Sequence, residues 1–235
     1  MKKKYTLEIS VETLEDALAA ERGGADRIEL CGDLSVGGVT PGVDLVRAVR
    51  DQIRIPIFVM IRARGGDFVY SDLEFEKMKR AIADAKEFGA DGVVLGILNK
   101  DRRVDIERTR ELVNLARPLP VTYHRAFDET ADLHGALEDV IQTGSTRILT
   151  SGGAAGAPAG AATLAELVRD ARGRIIIVPG AGIHASNILQ IAQRTQAREF
   201  HSGLSTALPY GSREYKKFEE EVRRLAERIV QMSRA

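Results

Sequence analysis

The chain has 235 residues, with 34 basic and 34 acidic side chains and a net charge of zero. No overall field draws such a chain to nucleic acid or to a membrane surface. Its one cysteine, Cys31, excludes an internal disulfide and fits a reducing compartment. Behind the basic residues 1–4 the short apolar segment is interrupted by Glu8, so no signal peptide is expected. No apolar run approaches the ~20 residues of a membrane helix. The expectation is a cytoplasmic protein that binds neither nucleic acid nor membrane.

Residues 6–10 read as a first strand, with Leu7 and Ile9 on one face and Thr6, Glu8 and Ser10 on the other. A helix follows over 13–23, opened by Thr13 with Asp16 and striped by Leu14, Ala17 and Leu18. The segment Gly24-Ala25-Asp26-Arg27-Ile28-Glu29-Leu30 then recurs in outline at Gly89–Leu95 and, more loosely, at Gly144–Thr150. Each copy is a helix end, a tight turn and a strand start, and the copies lie about two βα units apart. Between them fall strands at 56–62, 119–124 and 175–178, with a last one at 198–201. Further helices are expected near 42–52, 72–88, 105–116, 131–143, 161–171, 186–194 and 213–232. Eight βα units at this length predict an α/β chain folded as a single TIM barrel over residues 1–235. A doubly wound sheet is the rival, but the turn after Ser10 is Val11-Glu12-Thr13, without the glycines of a dinucleotide site. Residues 152–160, rich in Ala and Gly, read as a mobile loop, a lid edge or simple slack.

In a closed barrel the apolar strand face meets the helices, so the polar face points inward. That rule turns Glu8, Ser10, Arg27, Glu29, Cys31, Thr122 and His124 inward, with Arg62 above Phe58 and Met60. Arg27 paired with Glu8 or Glu29 would be a structural ion pair at the closed end. Functional groups collect at the carboxyl ends of the strands. There the apolar strand at 56–62 empties into Arg62-Ala63-Arg64-Gly65-Gly66-Asp67, and the fifth strand ends in His124-Arg125-Ala126-Phe127-Asp128. A histidine at such a position suits acid–base work because it titrates near neutrality. A βα turn with surface arginines and a hydrogen-bonded core histidine are the structural alternatives. The last two strands end in Pro179-Gly180-Ala181-Gly182 and Phe200-His201-Ser202-Gly203, where glycines allow backbone amides to approach an anion. The candidates are Glu8, Glu29, Arg62 and His124 for catalysis. For ligand binding they are Arg64, Asp67, Arg125, Gly180, Gly182, His201, Ser202 and Gly203. The facing of His201 stays open, because aligning its strand with Arg27–Glu29 would turn Phe200 inward instead.

Phe58-Val59-Met60-Ile61-Arg62, followed by Arg64-Gly65-Gly66-Asp67-Phe68 and Tyr70-Ser71, resembles the signature of the CutC copper-homeostasis family. Arg22 to Cys31, Gly37-Gly38-Val39-Thr40-Pro41, His124 to Asp128 and Arg147 to Gly152 extend the likeness across nearly the whole chain. The resemblance implies a cytoplasmic TIM barrel, a homodimer or larger assembly, and a copper-binding protein involved in copper handling, with a copper ion at Cys31. It supplies no established reaction. Many relatives carry Glu-Ile-Cys or Glu-Val-Cys at the end of the first strand, where this chain has Glu8-Ile9-Ser10. Cu(I) favours thiolates, so a two-cysteine site within one subunit cannot exist here. Two functions of different class are therefore expected. One is copper binding or trafficking; the other is acid–base chemistry on a small anionic or sugar-like metabolite.

Overall fold

The strands that the alternation of apolar residues marks out join in one parallel sheet. It comprises β1 (Thr6–Val11), β2 (Arg27–Leu30), β3 (Ile57–Met60), β4 (Gly92–Leu95), β5 (Val121–Tyr123), β6 (Arg147–Thr150), β7 (Ile176–Pro179) and β8 (Glu199–Ser202). A helix follows each: α1 (Leu14–Gly23), α2 (Val43–Gln52), α3 (Asp72–Glu87), α4 (Ile106–Ala116), α5 (Leu133–Thr143), α6 (Ala161–Ala171), α7 (Ile188–Thr195) and α8 (Tyr215–Arg234). The computed structural model describes residues 5–204 and 214–234. The basic residues 1–4 and the first position of the last expected helix, 213, lie outside the described residues.

The strand order runs β7-β6-β5-β4-β3-β2-β1-β8, with every hydrogen-bonded pair parallel. β7 and β8 lie against each other and complete a nearly closed TIM barrel. Their following loops are tied directly, the Ser202 hydroxyl donating to the Ile183 carbonyl at 2.6 Å. The strands at 56–62 and 119–124 come out shorter than expected. Beyond Ile61, whose N–H still donates to the Val94 carbonyl, the backbone leaves the ladder, and the Arg62 N–H donates to Thr40 Oγ1 at 2.9 Å.

Outward-facing strand residues such as Leu7, Ile9, Ile28, Val93 and Phe200 pack with the helices in one core, as the two-sided burial of barrel strands requires. A second, smaller cluster of Cys31, Leu34, Phe58, Met60 and Val94 lies inside the barrel. Register then decides the open question of the last strand. Glu8 pairs with Arg27 on one side and with His201 on the other, so all three point inward and Phe200 points out.

Residues 152–160 are fastened rather than slack. Asp128 accepts from the Ser151 and Gly153 N–H groups, the Ser151 hydroxyl donates to the Ala154 carbonyl, and the Ala157 N–H donates to the Ala181 carbonyl at 2.9 Å.

Candidate functional site

The closed end of the barrel is plugged by charge. Arg27 Nε donates to Glu8 at 2.5 Å, Arg27 Nη2 and Arg147 Nε both donate to Glu199 at 2.9 Å, and both guanidinium groups lie over the Phe58 ring. Of the two partners the sequence offered for Arg27, Glu8 or Glu29, it is Glu8 that holds it, while Arg147 and Glu199 were missed. Both sit at strand starts, where a charge resembles ordinary surface decoration.

Above the plug stands His201, whose Nδ1 lies 2.8 Å from Glu8 Oε1 and whose Nε2 lies 3.8 Å from Glu29 Oε2. Burial alone would depress this imidazole, but the Glu29 and Glu8 carboxylates reverse the effect and raise its pKa. Burial would likewise raise Glu8; Arg27 and His201 outweigh it and hold that carboxyl below the usual carboxylate range. For Glu29 burial wins, and the pKa is raised. Its Oε2 accepts the Cys31 S–H at 3.6 Å, while its Oε1 has no protein partner among the described residues.

A cavity of about 410 Å³ opens above Glu29 and His201 at the carboxyl mouth. Ser10, Glu29, Arg62, His124, Arg125 and His201 supply its polar wall, with Gly182, Ser202 and Gly203 at the β7–β8 side. Leu34, Met60, Phe68 and Leu149 supply the apolar wall.

Arg62 is buried at the mouth, not the surface arginine of the alternative reading. Its Nη1 donates to the Val36 and Gly38 carbonyls at 3.0 Å, its Nη2 to Gly66 at 2.7 Å, and its plane lies 4.7 Å from the Phe68 centroid. Its Nε has no partner among the described residues. His124, 3% exposed, packs against the same Phe68 ring, centroids 4.9 Å apart and the planes tilted by 50°. The Ala126 N–H donates to its Nδ1 at 3.2 Å, which leaves the proton of the neutral ring on Nε2. That nitrogen is also without a partner. Burial, then the Arg62 charge, push the His124 pKa down to about 3, so the ring is neutral at physiological pH. Gly96 makes the arrangement possible, since a Cβ there would lie 2.6 Å from His124 Nδ1.

Other expected residues are engaged by the protein itself or lie away from the cavity. Arg64 is held by Asp67, Glu74 and the carbonyls of Gly65 and Val69, so Arg64 and Asp67 brace their own loop. Glu8 lies beneath the cavity and Gly180 is tied into the ladder by its bond to the Thr150 carbonyl. Arg125 reaches the rim, but its Nε donates to Asp128 at 2.9 Å. The sequence reading did not single out His184, which lines the cavity with its ring held by Ser186 and Asn187.

Glu8, Glu29 and His201 each bring a ligand atom within 4.8 Å of the others, the one group among the described residues with the spacing for a metal ion. Its chemistry does not fit Cu(I). Glu8 is already bound by Arg27 and His201, His201 favours its protonated form, and the remaining donors are hard carboxylate oxygens. Cys31, the soft donor nearby, is fully buried. Burial, then Glu29, push its thiol well above the ordinary value, which disfavours the thiolate a copper ion needs.

Eight parallel strands with a polar, partly apolar-walled cavity at their carboxyl ends define a TIM barrel with a pocket at its mouth. Within that class the chain belongs to the CutC family, whose model matches residues 5–206. It is 48% identical over 197 residues to the human protein named copper homeostasis protein cutC homolog, spanning 84% of this chain and 72% of that one. A CutC family protein of Chromobacterium violaceum is 47% identical over 83% of this chain and 79% of its own. The crystal structure of a copper homeostasis protein CutC from Streptococcus agalactiae superposes with a TM-score of 0.81 at 33% identity, covering 85% of this chain and 98% of that one.

Proposed function

We propose that this member of a copper-homeostasis family binds a small anionic metabolite at the carboxyl mouth and moves a proton on it. The observation that carries the reading is Arg62. A guanidinium only 5% exposed has carbonyl partners but no carboxylate among the described residues. A buried charge without a counter-ion is expensive, and an anionic ligand would supply one. Glu29 and His124 stand in the same cavity with polar atoms to spare, as acid–base chemistry requires.

Copper handling, which the family's name carries, has one observation in its favour here: Cys31 and Met60 bring two sulfur atoms into the inner cluster. Cu(I) would then be cargo held weakly by a protonated thiol and a thioether. A homodimer in the cytoplasm completes the reading, on the family likeness and the single reduced cysteine. No helix among the described residues is long and apolar enough to cross a membrane.

Isothermal titration with inorganic phosphate, sulfate and oxalate tests anion binding. At least one should bind, and Arg62→Lys should weaken it tenfold or more. Failure of all three to bind the wild-type protein would contradict the proposal.

A further inference from the structure

Resting on that reading, we infer that the substrate is a small carbonyl compound with an acidic α-C–H. Its oxygen is held by the Arg62 Nε–H and the His124 Nε2–H while Glu29 takes the α-proton.

Several buried side chains of this protein keep a polar atom without a partner. Of these, the residues that line the mouth cavity are Glu29, Arg62 and His124; the atoms left over are Oε1, Nε and Nε2, each buried within the wall. Leaving such an atom unpaired costs about 1–3 kcal/mol, and three around one cavity form the complement of a ligand. Their polarity is specific, two donors and one acceptor. The donors share a wall, since both rest on the Phe68 ring, at 4.7 and 4.9 Å. The acceptor belongs to β2, three strands away from the β5 terminus that carries His124. Arg62 follows β3, next to β2, so a substrate in the cavity would meet the carboxylate and the Arg62 N–H from neighbouring strands and the His124 N–H from across the barrel.

That is the layout enolisation needs. The Glu29 carboxylate removes the α-proton, and the C–H electron pair becomes a new C=C bond. The C=O π pair moves onto oxygen, and the enolate oxygen is stabilised by the two N–H groups. Return of the proton from Glu29 to the same carbon gives exchange; in an α-hydroxy carbonyl compound, passage of the hydroxyl proton to the enolate oxygen followed by return of the Glu29 proton to the other carbon gives isomerisation, and neither needs an oxidant or a reductant. A carboxylate base opposite a neutral imidazole donor suits this chemistry, because a neutral N–H polarises a carbonyl without first giving up its proton. The donors are fixed in advance, Arg62 by three loop carbonyls and His124 by the Ala126 N–H, so little reorganisation accompanies the charge. The Leu34, Met60, Phe68 and Leu149 walls help exclude water. A cavity of about 410 Å³ lies toward the small end of ligand sites.

The test incubates the intact protein in deuterated buffer with pyruvate, dihydroxyacetone, dihydroxyacetone phosphate and glyceraldehyde 3-phosphate, following α-proton exchange by NMR. Oxalate, a planar enolate mimic, is titrated in parallel. We expect protein-dependent exchange with at least one compound, inhibited by oxalate. Glu29→Gln should lower it at least about 100-fold with oxalate still bound, and His124→Leu should lower exchange and oxalate affinity together. Oxalate binding without exchange of any compound would overturn the inference and leave the anion-binding reading standing. Exchange unaffected by Glu29→Gln would also overturn it. If neither oxalate nor any carbonyl compound bound, both readings would fail together.

Discussion

The Nδ1–H of His201 donates to Glu8 Oε1 across 2.8 Å, joining residues 193 apart in sequence and tying the last strand of the barrel to the first. Glu8 is the hub of this contact, since its other oxygen accepts from Arg27. The bond fixes the His201 ring and sets its Nε2 toward Glu29. Removing the Glu8 charge would leave two buried cations facing each other. Glu8→Gln is expected to destabilise the fold by about 3–5 kcal/mol, measured by urea denaturation at neutral pH. A loss below about 1 kcal/mol would mean that the plug is not held as described.

His124 makes stability depend on pH. Its pKa falls from 6.5 to about 3 on folding, so below pH 6.5 the unfolded chain takes up a proton that the native chain refuses. Stability from this group is present above about pH 6.5 and is lost as the pH falls toward 3, amounting to about 2 kcal/mol by pH 5. Denaturation midpoints of the wild type and His124→Gln should converge over that interval. Parallel curves from pH 7 to 5 would show that the imidazole is not buried neutral.

Arg62 braces as well as binds. Its guanidinium satisfies three carbonyls from the loops after β2 and β3 and stacks on Phe68. Without any ligand, Arg62→Ala should lower stability by about 2–4 kcal/mol, whereas Arg64→Ala, on the half-exposed side of the same loop, should cost about 1 kcal/mol or less. Equal effects in thermal melting would remove the distinction between the two arginines.

Copper should bind weakly and without fixed stoichiometry. Cys31 is the chain's one cysteine, and its thiol is held protonated against Glu29. Competition against a Cu(I) chelator checks this. A tight site of one ion per chain that vanishes with Cys31→Ser would refute it, and one ion per two chains would indicate two Cys31 residues shared in a dimer.

A second anion position is expected at the rim between the β7 and β8 loops. Ala181 and Gly182 both adopt left-handed backbone, with φ of 67° and 71°. Their carbonyls accept from Ala157 N–H and Asn187 Nδ2, while their own N–H groups meet no acceptor among the described residues. Phosphate binding here should weaken in Gly182→Val, because valine is strained at that φ. Unchanged affinity would place the phosphate elsewhere.

The barrel was legible because its signals are local. Alternation in residues 6–10, the recurring Gly-Ala-Asp turn and the apolar run at 56–62 each mark a strand without reference to the rest of the chain. Parity gave most of the interior for the same reason: once Leu7 and Ile9 face the helices, Glu8 and Ser10 face inward. His201 escaped the rule because its direction follows from pairing with Glu8, a contact between the two ends of the chain. The division between Arg62 and Arg64, both expected in the site, was hidden as well. They are separated by one residue, and only the fold shows one guanidinium buried on loop carbonyls and the other clasped by Asp67 and Glu74. The Arg147–Glu199 pair shares this character, joining two strand starts through the barrel floor.

A crystal structure of the protein grown in oxalate tests the central claim most directly. The account predicts one anion in the mouth cavity, an oxygen within hydrogen-bonding distance of Arg62 Nε and His124 Nε2, with Glu29 facing its other side. An oxalate found only on exposed basic side chains, with the cavity holding solvent alone, would contradict it.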